Sequence, residues 1–278
     1  ALFTINLDTI AQLSCNPAMG GVAKGQIIRE VDALGGEIGK NTDKSMISFN
    51  MINISKGPAV HSPRAQCDKH LYHRNMKQTL EKQENLIIKQ DEIVDIKVEN
   101  GKVFGVLSKT GIFYKAEAVI LTAGTFLNGK IYIGETTFAA GRSGEFASIP
   151  LAENIKKLGF ETKRLKTGTP FRVFKKSIDT SRLEVHAGDE TIHPFSLQTL
   201  RESLQNQGVC YITYTNDKTH QVIKENIHKS PLYSGKISGI GPRYCPSIED
   251  KVVKFEHMPR HQIFLEPESL ESEEIYCN

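Results

Sequence analysis

The sequence predicts an α/β fold, and three features carry that prediction. A short apolar run at 118–121 reads as a buried strand of the kind parallel sheets use, and it ends in the small residues Thr122, Ala123, Gly124 and Thr125. A glycine-bearing loop at 14–25 (SCNPAMGGVAKG) leads into an amphipathic helix over 22–34. Between them lies a β-rich excursion, about 91–116, turned by Asn100-Gly101, a two-residue hairpin signal. Strands mixed with helices along one chain point to an α/β layering.

Each element follows from local chemistry. Residues 1–6 read as a strand. In the first helix, Val22, Ile27, Ile28, Val31 and Leu34 recur at helical spacing. Gly35-Gly36 stops it, because glycine accepts the left-handed conformation beyond a helix end. Residues 45–54 read as a strand and Lys56-Gly57-Pro58 as a turn. Ser62-Pro63 predicts a helix start, serine as N-cap and proline in the first turn. That helix runs to about Asn85, with Tyr72, Met76 and Leu80 four apart. Residues 86–90, 92–98 and 102–108 are predicted strands. A short helix over 149–157 ends at Gly159. Residues 160–173 (FETKRLKTGTPFRV) predict a strand followed by a basic turn. A helix is expected near 196–206, a strand at 209–215 and a helix at 217–227.

Composition excludes several classes. No run of eighteen apolar residues is present, so a transmembrane helix is not expected, and no signal peptide is visible. The five cysteines are odd in number, widely spaced and without CxxC, which favours reduced thiols and a cytoplasmic protein over a disulfide framework. A net charge of +3 says nothing about nucleic acid by itself. Between residues 151 and 185, however, nine Lys/Arg face four Asp/Glu, a local excess that suits either a polyanion or a solvated face. Ala1 opens directly into a strand, and nothing follows EEIYCN to close the fold. The sequence therefore reads as an internal portion of a longer chain.

Two cysteines stand out chemically. Cys15 is expected just before a helix N-terminus, where unpaired N–H groups favour a thiolate or an anionic ligand, and Gly20 and Gly21 would let a flat ligand approach the backbone. A buried cysteine in a tight loop fits the same residues. Cys245 has Arg243 beside it and Ser247 after it, with Ser247 and Asp250 placed to cap a helix. Cys67, expected mid-helix, and Cys210, mid-strand, read as core, and Cys277 sits at an uninformative end. No metal site is predicted. His70 and His73 lack a third ligand nearby, and Pro259 breaks the helix that would align His257 with His261. There is no P-loop and no GxGxxG.

SCNPAMGG (14–21), NISKGPAV (53–60), PRAQ (63–66), LTAGTFLNGKIYIG (121–134), LKTGTP (165–170), YTNDKTH (214–220) and GPRYCPSIEDKV (241–252) together resemble the MnmG family, also called GidA. The resemblance runs over essentially the whole chain. It departs at Phe171, where the family pattern prefers a second proline. The family's fold is a glutathione-reductase-like FAD-binding domain carrying an inserted second α/β domain. That implies a partial FAD domain at 1–166 and an inserted nicotinamide-nucleotide-binding-like domain at 167–278. It implies FAD contacts at Asn16, Gly20, Gly21, Ile93, Thr122, Gly124 and Ser148. It implies an NAD segment of Gly241, Pro242, Arg243, Tyr244, Pro246, Ser247, Ile248, Glu249, Asp250, Lys251 and Phe255. Cys15 and Cys245 match the family's two proposed catalytic thiols. The implied activity is the addition of a (carboxymethyl)aminomethyl group to C5 of the wobble uridine of tRNA. Its carbon would come from 5,10-methylenetetrahydrofolate and its hydride from NADH, in a homodimer partnered by an MnmE-type GTPase. Lys163, Arg164, Lys166, Arg172, Lys175 and Lys176 form the best local basic cluster for a tRNA backbone. The competing expectations are a folate- and FAD-dependent tRNA uridine methyltransferase, a disulfide oxidoreductase (disfavoured by the lack of CxxC) and a catalytically incomplete binding fragment.

Overall fold

The computed structural model describes residues 1–237 and 246–278. In chain order, β1 (Leu2–Thr4) and β2 (Ala18–Gly20) precede α1 (Lys24–Ala33), which ends as Gly35 takes φ +90. Then come α2 (Ile38–Ser45), β3 (Met46–Ile52), β4 (Ser62–Cys67) and α3 (Lys69–Lys82). Short strands follow: β5 (Ile88–Gln90), β6 (Ile93–Glu99), β7 (Lys102–Ser108), β8 (Phe113–Lys115), β9 (Lys130–Ile133) and β10 (Thr136–Ala139). After α4 (Ile149–Lys157) come β11 (Arg172–Phe174), β12 (Glu184–His186) and β13 (Cys210–Tyr214). The chain continues through α5 (Asp217–Asn226), α6 (Ile248–Lys254), β14 (Gln262–Pro267) and β15 (Glu274–Cys277).

These elements form two compact units, each drawn from three segments. Unit 1 comprises Ala1–Asp8, Asn85–Gly168 and Lys218–His257; unit 2 comprises Thr9–Glu84, Thr169–Asp217 and Met258–Asn278. In unit 1, β1 and β5 pair in parallel, Leu2 opposite Ile88. β6, β7 and β8 form an antiparallel meander. Asn100 and Gly101 turn it with φ 50 and 76, the double positive φ that a type I′ hairpin needs. β9 and β10 make a second hairpin through Gly134. α4 is tied to β6, because Asn154 Oδ1 accepts from the Ile96 N–H at 3.0 Å.

Unit 2 holds the larger core. β4 lies between β2 and β3 in a three-stranded antiparallel sheet. Ile28, Met46, Phe49, Ala65, Cys67, Tyr72, Met76, Ile192 and Phe195 pack together beside it. Burying a side chain such as Phe49 contributes about 2–3 kcal/mol. The second sheet runs β11-β15-β14-β13-β12, antiparallel throughout, with Leu265, Ile275 and Cys277 in its core. Charges are also buried here, each with partners. Asp43 takes the N–H groups of Phe195 and Ser196, and Asp32 that of Leu197. The fully buried Glu268 joins Lys69 and Arg172, both at 2.8 Å.

Several local expectations give way to tertiary structure. Ser62-Pro63 opens strand β4, not a helix. Pro63 stands near the strand's start, where a missing N–H costs little, and the Ser62 hydroxyl donates to Val60 and accepts from Gln26. The α3 cap is Asp68, whose Oδ1 accepts from the Leu71 N–H at 2.9 Å. Cys67 is thus the end of a buried strand, not mid-helix. The run at 118–121 forms no strand: no described strand pairs with it, and Ile120 is 88 % exposed. Within 160–173, the structure begins a strand only at Arg172. The helix expected near 196–206 is a single 3-10 turn, Arg201–Ser203. Its neighbours are held by long-range bonds instead, the N–H groups of Gln207 and Gly208 both reaching the Ile47 carbonyl. Cys277 belongs to a buried strand. On α1, Ile28 is buried, while Ile27 and Leu34 are exposed, and Gly25 and Asp32 share the inner face.

Candidate functional site

Cys15 does not abut a helix N-terminus. β2 intervenes, and α1 begins only at Lys24. What surrounds the thiol is a pair of strands. β11 and β15 place Arg172 directly opposite Tyr276. Tyr276 is 1 % exposed, and its hydroxyl lies 3.2 Å from the Cys15 sulfur. The Arg172 guanidinium stacks 5.0 Å above the Tyr276 ring, a cation–π arrangement. It also donates to the Cys15 carbonyl at 3.1 Å and the Ser14 carbonyl at 3.3 Å, while its Nε is fixed by Glu268. Burial, and then the neighbouring thiol, push the Tyr276 hydroxyl well above the ordinary tyrosine value, so it stays protonated and able to donate.

Among the described cysteines, Cys15 is exposed and Cys67, Cys210 and Cys277 are buried. Burial pushes the Cys67 and Cys210 thiols up to about 12, which leaves them inert as thiolates near neutrality. Beside Cys15, Asn16 Oδ1 is a buried acceptor without a hydrogen-bond partner. The two glycines have different tasks. A Cβ on Gly20 would lie 2.0 Å from the Pro63 carbonyl oxygen and 2.9 Å from the Phe195 ring, so Gly20 lets β2 pack. Gly21, at φ +96, has nothing within 4 Å of its missing Cβ and leaves open space.

Unit 1 carries the second group of predicted residues and brings three of them into one neighbourhood. Gly124 opens a 3-10 turn, Gly124–Phe126, at φ +56, with open space beyond it and Thr122 just before. The buried Ser148 donates its N–H to the Phe126 carbonyl at 2.8 Å, and its carbonyl accepts from Asn128 at 3.1 Å. The Arg142–Glu145 ion pair closes the neighbouring loop; Arg142 lies 5.2 Å from the Phe126 ring centre, and Thr125 donates to the Gly141 carbonyl. Ile93 stands at the head of β6, opposite Ser108.

A family model described as "Glucose inhibited division protein A" matches residues 1–278. The chain belongs to that family. It is 60 % identical, over its whole length, to a protein of Thermodesulfovibrio yellowstonii named "tRNA uridine 5-carboxymethylaminomethyl modification enzyme MnmG", of which it covers 44 %. Relatives of the same name in Caldicellulosiruptor saccharolyticus and Borreliella burgdorferi are 52 % and 53 % identical, covered to 44 % and 45 %. A solved GidA structure from Aquifex aeolicus superposes with a TM-score of 0.91 at 53 % identity, covering 99 % of this chain and 47 % of that one. The chain thus spans about half the length of the relatives it matches.

The remaining predicted residues of this GidA-family chain divide in two. Gly241, Pro242, Arg243, Tyr244 and Cys245 lie outside the described residues. Pro246 to Phe255 lie in unit 1, where the Ser247 hydroxyl accepts from the Asp250 N–H at 3.3 Å and caps α6 as expected. Burial works to raise the Asp250 carboxyl, but the hydrogen bond and charge of Lys254, with Tyr233 and Lys166, outweigh it and hold the carboxyl below its ordinary value. Glu249 accepts from Ser230 at 3.3 Å, and the Phe255 ring is 47 % exposed. The basic cluster is split between units: Lys163, Arg164 and Lys166 in unit 1, Arg172, Lys175 and Lys176 in unit 2. Arg172 is engaged with Glu268 and the Cys15 loop, with 25 % of its side chain exposed. Tyr276 and Glu268 escaped the sequence reading. Nothing local links them to Cys15, 261 positions from Tyr276. Among the described residues, no helix is long and apolar enough to cross a membrane.

Proposed function

We propose that this chain is part of a flavin-dependent enzyme that modifies C5 of the tRNA wobble uridine, with Cys15 and Cys245 as its working thiols. The observation that carries the reading is the 60 % identity, along the full chain, to a relative named for that modification. The assignment includes a glutathione-reductase-like FAD domain and an inserted nicotinamide-nucleotide domain. It includes FAD, NADH and 5,10-methylenetetrahydrofolate as cofactors and carbon source, a homodimer, an MnmE-type GTPase partner and a cytoplasmic setting.

The residues suit a flavin. Asn16 Oδ1 is a buried acceptor that lacks a donor, and an isoalloxazine ring carries an N–H. In the same unit, Gly21 leaves open the space a side chain would fill. The nicotinamide segment suits its ligand only in part, since Asp250 and Glu249 hold unit 1 together and the exposed Phe255 ring offers a stacking face. Bound, the flavin would supply redox and one-carbon carrier chemistry; the chain supplies position and electrostatics. Uridine C5 is a poor nucleophile. A thiolate from one cysteine adding at C6 makes an enolate that is nucleophilic at C5, and in this reading the other thiol assists removal of the C5 proton.

Two measurements test this. Cys15→Ser and Cys245→Ser, in the full-length enzyme, should each abolish tRNA modification; full activity in both variants would end the thiol reading. The visible spectrum of this chain, before and after FAD is added, should show bound flavin. A colourless chain that ignores FAD would mean the described loops do not hold the ring by themselves.

A further inference from the structure

We propose that Tyr276 is the positioning residue of the Cys15 thiol, its hydroxyl giving the hydrogen bond that aims the sulfur and stabilises it when the proton has gone. This rests on reading Cys15 as an attacking thiol. The geometry is specific. The hydroxyl sits 3.2 Å from the sulfur, on a ring that is 1 % exposed and carried by an interior strand. Cys15, whose sulfur it meets, is an exposed residue. A buried, fixed donor facing an accessible nucleophile is the arrangement that preorganises a site.

The clamp behind the pair is equally specific. Arg172 covers the Tyr276 ring and grips the Ser14 and Cys15 carbonyls, so one guanidinium fixes both the donor and the loop bearing the acceptor. Arg172 is held in turn by Glu268, which Lys69 also pairs. Glu266 faces the same region from β14 and is paired by Arg64 at 2.7 Å. The guanidinium that fixes the loop thus has its own counter-charge already matched.

The roles follow from protonation. Burial keeps the Tyr276 hydroxyl protonated, so it does not take the thiol proton. That proton leaves to bulk water, Cys15 being an exposed residue. The thiolate lone pair then forms the S–C6 bond, the C5–C6 π pair becomes the C4–C5 π bond, and the C4–O4 π pair moves onto O4. That pair returns as C5 bonds its one-carbon electrophile; a base then takes the C5 proton, the C5–H pair re-forms C5–C6, and the S–C6 pair goes back to sulfur, where Tyr276 again donates.

The test uses the full-length enzyme and Tyr276→Phe, which keeps the ring and the Arg172 stack and removes only the hydroxyl. Cys15 alkylation by iodoacetamide, followed by peptide mass spectrometry at neutral pH, should slow about fivefold, the scale of a lost hydrogen bond to a charged group offset by the greater intrinsic reactivity of the freed sulfur. In tRNA modification, kcat should fall while KM for tRNA holds. Unchanged alkylation at an unchanged thermal midpoint overturns the proposal. If Tyr276→Phe unfolds, Arg172→Lys probes the same clamp: it loses the fork on Ser14 and Cys15, and alkylation should again slow, wild-type rates overturning the proposal. If alkylation slows in Tyr276→Phe but Cys15→Ser retains full modification, the hydrogen bond stands, and the catalytic reading beneath it is what fails.

Discussion

At the scale of single residues, the chemistry of Cys15 could be read from its neighbours, but not what holds it. The loop composition drew attention to Asn16, Gly20 and Gly21, and the structure separates them: Gly20 is a packing glycine, Gly21 borders open space, and Asn16 carries an unpaired acceptor. Such distinctions depend on what stands opposite in space, and Pro63, Phe195 and Tyr276 are all distant in sequence. The buried carboxylates were equally hidden. Burial raises Asp43 above its ordinary 3.8, with Asp32 adding to the rise, although the N–H groups of Phe195 and Ser196 pull it down. The folded state therefore binds this proton more readily than the unfolded chain. The stability that the protonated group contributes is full below 3.8 and is lost as pH rises through the raised value. Urea titrations of the wild type and Asp43→Asn between about pH 4 and pH 7 should show the wild type losing ground to the variant as pH rises.

At the scale of elements, periodicity and turn chemistry placed α1, α4, α5 and the Asn100-Gly101 hairpin close to where they form. Cap signals misled where two competed. Ser62-Pro63 is the better cap on paper, yet the demand for a middle strand between β2 and β3 claims those residues, and Asp68 takes the role. Asp68 has two duties, accepting from Leu71 at the head of α3 and from Leu270 at 3.0 Å. Asp68→Ala should therefore cost about 2 kcal/mol, more than a cap alone, because a second N–H loses its partner. A chemical denaturation midpoint measures it, and a loss within about 0.5 kcal/mol would contradict the dual role. The run at 118–121 shows the opposite failure. Its composition is that of a buried strand, but a strand exists only where another offers its edge, and none of the described strands does.

At the scale of the whole molecule, the α/β class was legible and the weaving of the chain was not. Each unit takes three separate segments, and the core of unit 2 sets Phe49 and Met46 from early in the chain against Ile192 and Phe195 from late in it. Local patterns carry no information about such pairing. A fragment ending at residue 168 lacks Ile192 and Phe195, and with them the whole five-stranded sheet. It should bind a hydrophobic dye and show no cooperative melting, whereas the 278-residue chain should melt cooperatively. A cooperative, dye-silent fragment would mean that the early segments close a core of their own.

The place of β15 has a consequence for how the protein is made. It is the last strand of its sheet in sequence, yet it stands inside, between β11 and β14. On the ribosome, β11 emerges about 100 residues before its neighbour exists. At about 5–20 residues per second, that is about 5–20 s in which Val173 and its strand have no ladder to join. During that interval the nascent chain presents an open edge to any other strand it meets, and a holding chaperone has its window there rather than after release.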